Sequence, residues 1–235
     1  LSQHCIEAQQ IYLVGESGAG KTALLEAGVL PELQKNQTVL LIYLDSWGED
    51  WVKGPQEVLR DALWKSLKSL SPEQKEVLGL TECPAADKLM DIFRRIKPVL
   101  GRTPFIICDQ FDDYQARHYD KFLPRRTKTW LSAKKLIAQN PFWADFKTLL
   151  EDQAIRCLFV TRNDTAIGLD AVRFTTTSVS YQLECPPYQL DLLRAEVVIP
   201  LLDKLAAESA ISNPQRGWER LQRRLAKDLA QEGLI

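Results

Sequence analysis

The chain lacks a dominant sign of charge: 30 Lys and Arg stand against 31 Asp and Glu, for a net charge of −1. Without a basic excess, composition gives no reason to expect a nucleic-acid or membrane partner. No apolar run approaches the roughly 20 residues of a membrane span, and no signal-peptide pattern opens the sequence. The cysteines, Cys5, Cys83, Cys108, Cys157 and Cys185, are odd in number and share no Cys-x-x-Cys spacing, so neither zinc nor a disulfide framework is suggested. Cys108 and Cys157 sit inside apolar runs and are expected as buried free thiols of a cytoplasmic protein. Internal repeats and low-complexity segments are absent. The first residue is Leu1, not Met, and no domain follows the last helical stretch; the sequence is expected to be a piece of a longer protein.

What is present is the material for one sizeable core, with 45% hydrophobic and 26% charged residues in 235. Continuous apolar runs at Ile11–Val14, Thr38–Asp45, Pro104–Asp109, Ile155–Thr161 and Ser178–Leu183 predict strands covered on both faces. Between them, helical spacing of apolar residues predicts helices over Thr22–Gln34, Pro55–Leu70, Ala85–Ile96 and Pro141–Glu151. Alternating strands and helices imply an α/β fold with a mostly parallel five-stranded sheet between helical layers. From about Pro187 the pattern is purely helical. Tyr188–Leu205 carries Leu190, Leu193, Val197, Leu201 and Leu205, with Pro200 as a kink. In the last helix Trp218, Leu221, Leu225 and Leu229 oppose Arg220, Arg223, Arg224 and Lys227, a face that reads as solvated. The expected division is a core over 1–186 and the start of a small helical lid over 187–235.

One segment points to chemistry. Gly15-Glu16-Ser17-Gly18-Ala19-Gly20-Lys21-Thr22, continued by Ala23, fits the P-loop pattern of Gly, four residues, then Gly-Lys-Thr, between a strand and a helix. The glycines let backbone N–H groups curl inward, and the helix N-terminus adds partial positive charge, which together suit the α- and β-phosphates of a nucleotide. Lys21 is expected to reach the β- and γ-phosphates, and the Thr22 hydroxyl to ligate Mg²⁺. Phe105-Ile106-Ile107-Cys108-Asp109 supplies the metal-organising acid, an aspartate at the C-terminal end of a strand, where open α/β sheets carry their ligand crevice. Asp109 is expected to hold Mg²⁺ through water. Asp112 or Asp113 would prepare the attacking water, with Gln110 an alternative water-positioning group; an acidic surface turn is the plain alternative for the pair. The strand ending at Thr161 is followed by Arg162, whose guanidinium suits the γ-phosphate. Thr161-Arg162-Asn163-Asp164 also looks like the guanine-reading Asn/Thr-Lys-x-Asp of GTPases. Against that, Arg replaces Lys, and Asp109-Gln110-Phe111-Asp112 stands where GTPases need Asp-x-x-Gly.

These residues together resemble the STAND NTPases, signal-transducing P-loop ATPases with numerous domains, and in particular the novel STAND group of prokaryotic proteins. Three stretches carry the resemblance, which spans about residues 9 to 190. The P-loop helix ends in Ala27-Gly28-Val29-Leu30-Pro31, unusual outside that group. Asp109-Gln110-Phe111-Asp112-Asp113 is similar to the family's Asp-Gln-Phe-Glu-Glu. Thr161-Arg162-Asn163-Asp164 is similar to a family Thr-x-Arg-x-Asp-like stretch, one residue tighter. The resemblance implies an ASCE/AAA-like three-layer α/β/α fold, ATP or ADP with Mg²⁺ as cofactors, and Pro186 near the adenine. It also implies a switch: a resting closed monomer, an ATP-bound homo-oligomer, and flanking effector and sensor domains. Many prokaryotic members act in anti-phage defence or programmed cell death. Asp112 and Asp113 stand where the family carries glutamates, one methylene longer, which implies slow or absent hydrolysis. Lys21, Arg162 and Asp112 or Asp113 would be catalytic; from its position alone, Arg117 or Arg125 is a candidate to act on a neighbouring subunit's nucleotide. The alternatives are a small-molecule P-loop kinase, with Arg125-Arg126 or the stretch Arg216 to Arg224 as its lid, and a nucleotide-binding scaffold without turnover.

Overall fold

Four of the five expected apolar runs form strands, and each is long enough to cross a buried sheet. They are β1 (Gln10–Gly15), β2 (Val39–Leu44), β3 (Thr103–Cys108) and β4 (Arg156–Arg162). The computed structural model describes residues 1, 5, 8–68, 70–80, 82–122, 135–166, 172 and 188–191. A fifth strand, β5 (Tyr188–Leu190), completes the sheet, whose order is β2-β3-β4-β1-β5 with every pair parallel. The expected strand at Ser178–Leu183 lies outside the described residues, as do Pro186, Arg125 and residues 192–235 of the expected lid. The helical reading from Tyr188 is corrected at its start. Over Tyr188–Leu190 the chain is extended and pairs Leu13 with Tyr188 and Gly15 with Leu190. β1 is buried along its whole length, so its polar backbone on that side needs a partner, and strand pairing supplies it.

Alternation along the strands sends side chains into two cores, which makes the fold three-layered. Tyr12, Val14, Ile106, Cys108, Cys157 and Phe159 face one side; Ile11, Leu13, Phe105, Ile107, Leu158 and Val160 face the other. Cys108 and Cys157 are buried free thiols, as their apolar surroundings foretold.

The second face is covered by α1, the helix after the P-loop. It runs as Lys21–Leu24, a π-helical turn Leu25–Val29 and Leu30–Lys35, and buries Leu25, Val29 and Leu33. The π turn ends at Val29, two residues before Pro31. A proline has no N–H to give and its ring crowds the carbonyl four residues back. The helix has already widened there, with the Leu30 N–H reaching the Leu25 carbonyl.

On the first face lie α2 (Lys53–Leu67), α3 (Pro72–Leu78), α4 (Leu89–Leu100), α5 (Phe111–Arg117), α6 (Tyr119–Phe122) and α7 (Pro141–Glu151). An aromatic cluster joins them. Phe111 lies 5.0 Å from both Trp47 and Phe159, and Tyr114 stacks on Trp51. α7 matches its predicted bounds because Asn140 caps it, accepting the Phe142 N–H, and Pro141 sets its first turn.

Candidate functional site

The parallel order brings the C-terminal ends of β1, β3 and β4 to one edge, with β4 inserted between the other two. Gly15 pairs with Arg162, and Asp109 follows Cys108, which pairs with Phe159. Residues almost a hundred positions apart therefore meet at the mouth of the P-loop.

The loop itself is shaped by three glycines for different reasons. Gly18 and Gly20 have φ of 80° and 82°, a region that side chains rarely adopt. Gly15 is fixed by space: a Cβ there would meet the Leu190 carbonyl oxygen at 2.5 Å. Gly20 caps α1 with no side chain of its own, so the first-turn N–H groups receive no side-chain cap. They and the helix dipole suit phosphate oxygens. Glu16, Ser17, Gly18 and Ala23 are exposed around this turn, while Ala19 is buried beneath it.

Lys21 reaches back across the loop. Its Nζ donates to the carbonyls of Gly15 at 2.9 Å and Glu16 at 2.8 Å. Burial pulls its ammonium below the usual lysine range, and the carboxylates of Asp112 and Asp109 oppose that pull. The Thr22 hydroxyl donates to Asp109 Oδ2 at 3.0 Å, so the two expected metal residues are already in contact. Asp109 is 1% exposed. Its Oδ1 accepts the Gln110 N–H at 2.8 Å, and its carbonyl accepts the Trp47 indole N–H at 2.9 Å. A hydroxyl beside a carboxylate is a hard oxygen pair of the kind that binds Mg²⁺ together with phosphates and water, so these residues fit the ion.

Gln110, at φ 50° and ψ 37°, is left-handed without being glycine. The turn costs of order 1 kcal/mol, and what holds it is on either side. Asp109 is tied to Trp47 and Thr22, and Phe111 is fully buried in the aromatic cluster. This explains Asp-Gln-Phe as a unit: the acid turns to the edge, the glutamine reverses the chain, and the phenylalanine anchors α5. The next two acids separate. Asp112 is half-buried and feels Lys21 and Arg162, whereas Asp113 is exposed. Burial raises the Asp112 carboxyl above the usual carboxylate range, and Asp113 adds to the rise.

Arg162 stands at the edge opposite Gly15, but its guanidinium is engaged. Nε and Nη2 grip Asp164 at 3.0 and 2.6 Å. Asp164, with Asp112 and Asp109, opposes the lowering of Lys21 by burial. Beneath this pair, Thr161 Oγ1 donates to Gln115 Oε1 at 2.8 Å, and Gln115 Nε2 donates to the Thr165 carbonyl at 3.1 Å. The amide thus ties the end of β4 to α5, the helix that carries Asp112. Arg117 is exposed and donates to the Gly48 carbonyl. Sequence reasoning missed Gln115, which belongs to no motif, and Tyr43, whose hydroxyl donates to Asp109; their significance comes from register and not from local pattern.

Among the described residues no helix is long and apolar enough to cross a membrane, and no three or more His, Cys, Asp and Glu group so as to hold a metal ion. No curated protein matches the chain. Among solved structures, it is similar to the ORC2 protein of Aeropyrum pernix, solved in its ADP form, at 14% identity and a TM-score of 0.53 over 96% of this chain and 55% of that one. It is likewise similar to a Walker-type ATPase of Pyrococcus abyssi, at 16% identity and a TM-score of 0.52 over 98% of this chain and 65% of that one. At such identities the likeness establishes the three-layer P-loop fold, and this chain spans less than two thirds of either relative. The family model described as Novel STAND NTPase 1 matches residues 1–204. That match covers the whole described edge, from the P-loop to β5, and the chain therefore belongs to the Novel STAND NTPase 1 family of P-loop nucleotide-binding proteins.

Proposed function

We propose that the chain is the ATP-binding switch module of a signalling protein, in which Mg²⁺-dependent, slow hydrolysis is coupled to assembly into a homo-oligomer. The observation that carries this reading is the 3.0 Å contact of Thr22 with Asp109 across the mouth of the P-loop, with Lys21 beside it. Mg²⁺, when bound, would neutralise charge on the β- and γ-phosphates. Thr22 and Asp109 would hold it. The N–H groups from Gly15 to Ala23 would cradle the phosphates, and Lys21 would counter their charge. Pro186 would lie near the adenine. Asp112, closer than Asp113 to the field of Lys21, would orient and deprotonate the attacking water. Arg162 would leave Asp164 for the γ-phosphate, which makes it the residue that tells ATP from ADP. The energy of that exchange would bias one of two domain arrangements.

Flanking effector and sensor domains, a cytoplasmic setting and a role in anti-phage defence or programmed cell death complete the proposal on the strength of family membership. The plain test is to denature the purified chain and identify the released nucleotide by anion exchange, with Lys21→Ala alongside. ADP or ATP in the wild type and none in the variant is the expected result. Guanine nucleotide would overturn the adenine assignment. A second reading, nucleotide held without turnover, is favoured by the shorter acids at 112 and 113. Equal phosphate release by wild type and by the Asp112→Asn, Asp113→Asn double variant would establish it.

A further inference from the structure

Tyr43 belongs to no motif, yet it touches the metal acid. It is the penultimate residue of β2 and pairs with Ile107, so its strand position places it beside the end of β3. Its hydroxyl donates to Asp109 Oδ2 at 2.7 Å, the same oxygen that accepts the Thr22 hydroxyl. The aromatic ring is half-buried against the core that α1 covers.

The geometry makes a braced carboxylate. Donors from three elements meet it: Thr22 from α1, Tyr43 from β2 and the N–H of Gln110 from the turn after β3. A carboxylate offers about four acceptor positions, so three donors leave about one, on Oδ1, for a further partner. Thr22 spends its proton on Asp109 and keeps its lone pairs for a cation. Without the phenol, Oδ2 is held by Thr22 alone and the carboxylate keeps two of its three donors. Hydroxyls that orient a ligating carboxylate typically matter tenfold or more to metal affinity.

We propose that Tyr43 is a positioning residue that sets the Mg²⁺ affinity of the nucleotide site through Asp109. This rests on the reading that Thr22 and Asp109 hold Mg²⁺. The test titrates a fluorescent ADP analogue into wild type, Tyr43→Phe and Asp109→Asn, in EDTA and at graded Mg²⁺. Phenylalanine keeps the ring, and binding in EDTA reports an intact P-loop. The expected result is unchanged binding in EDTA for Tyr43→Phe, with about tenfold more Mg²⁺ needed for half-maximal enhancement. An unchanged Mg²⁺ requirement in Tyr43→Phe, with a shifted one in Asp109→Asn, would overturn the role of Tyr43 and leave the nucleotide reading standing. Weakened binding of Tyr43→Phe in EDTA would make the contact merely structural. No response of any variant to Mg²⁺ would overturn the metal site itself.

Discussion

On the β3 side of the phosphate edge, Asp109 is 1% exposed and its carboxylate accepts three hydrogen bonds from three elements. On the β4 side, Arg162 is held by one neighbour two residues away, in an ion pair whose side chains are 44% and 60% exposed. The first arrangement is fixed by the fold. The second is local, screened by solvent and worth little to stability, under about 1 kcal/mol for an exposed pair. A site meant only to bind phosphate gains from rigidity throughout. A site that must respond to one phosphate more or less needs one half fixed and the other exchangeable. Asp164 occupies Nε and Nη2 of Arg162, the donors that the proposed γ-phosphate contact would need, so one guanidinium has two competing partners in this proposal.

The largest way to break the fixed half is Lys21→Ala. Losing charge-assisted hydrogen bonds to phosphate is expected to weaken ADP and ATP alike by roughly 100-fold, measured by calorimetry. Little change would remove the P-loop from the account.

Asp112→Asn probes the junction between the halves. Phosphate release should fall by about 100-fold, with Asp113→Asn nearly silent because Asp113 is exposed. The pH dependence has a definite sign. Burial raises the folded-state Asp112 value above the ordinary 3.8, so the folded chain binds this proton more tightly than the unfolded one. Its contribution favours the folded state at low pH and is lost as pH climbs from 3.8 through the raised value. Asp112→Asn should therefore leave the melting temperature at pH 7 equal or higher while turnover drops. A fall in both would mark Asp112 as structural.

Gly15→Ala attacks the P-loop through packing, from the β5 side of β1. The new Cβ meets backbone, the Leu190 carbonyl, at 2.5 Å. β5 must shift, at a cost of about 1–3 kcal/mol, which thermal denaturation would read as a drop of several degrees. An unchanged melting temperature would mean that β5 is not held against β1.

The smallest effect sharpens the exchangeable half. Asp164→Asn should leave stability unchanged and raise the preference for MgATP over MgADP by about threefold, since less than 1 kcal/mol of pairing is removed. A fall in that preference would show that Asp164 helps to bind the nucleotide.

The same contrast governs what could be read from the sequence. The P-loop was legible because its chemistry is contiguous, and Asp109 because an apolar strand ending in an acid has few other meanings. The ends of β1 to β4 each fell one residue from those of their runs. β5 was missed because Tyr188-Gln189-Leu190 is too short to carry a pattern and is extended only by pairing with β1. α3 was missed although its signal was present: Ser71 and Gln74 form a capping box ahead of Pro72–Leu78. α5 follows a strained turn that no propensity favours. The bracing of Asp109 by Tyr43, the tie of Gln115 to Thr161 and the capture of Arg162 by Asp164 depend on strand register and side-chain direction. None of these is a local property of the chain.

Calorimetric titration of MgATP and of MgADP into the wild type and Arg162→Ala tests the two-sided edge most directly. The prediction is that Arg162→Ala loses most of the wild type's preference for MgATP while its MgADP affinity stays within about twofold. Equal weakening of both nucleotides, or an unchanged preference for MgATP, would contradict it.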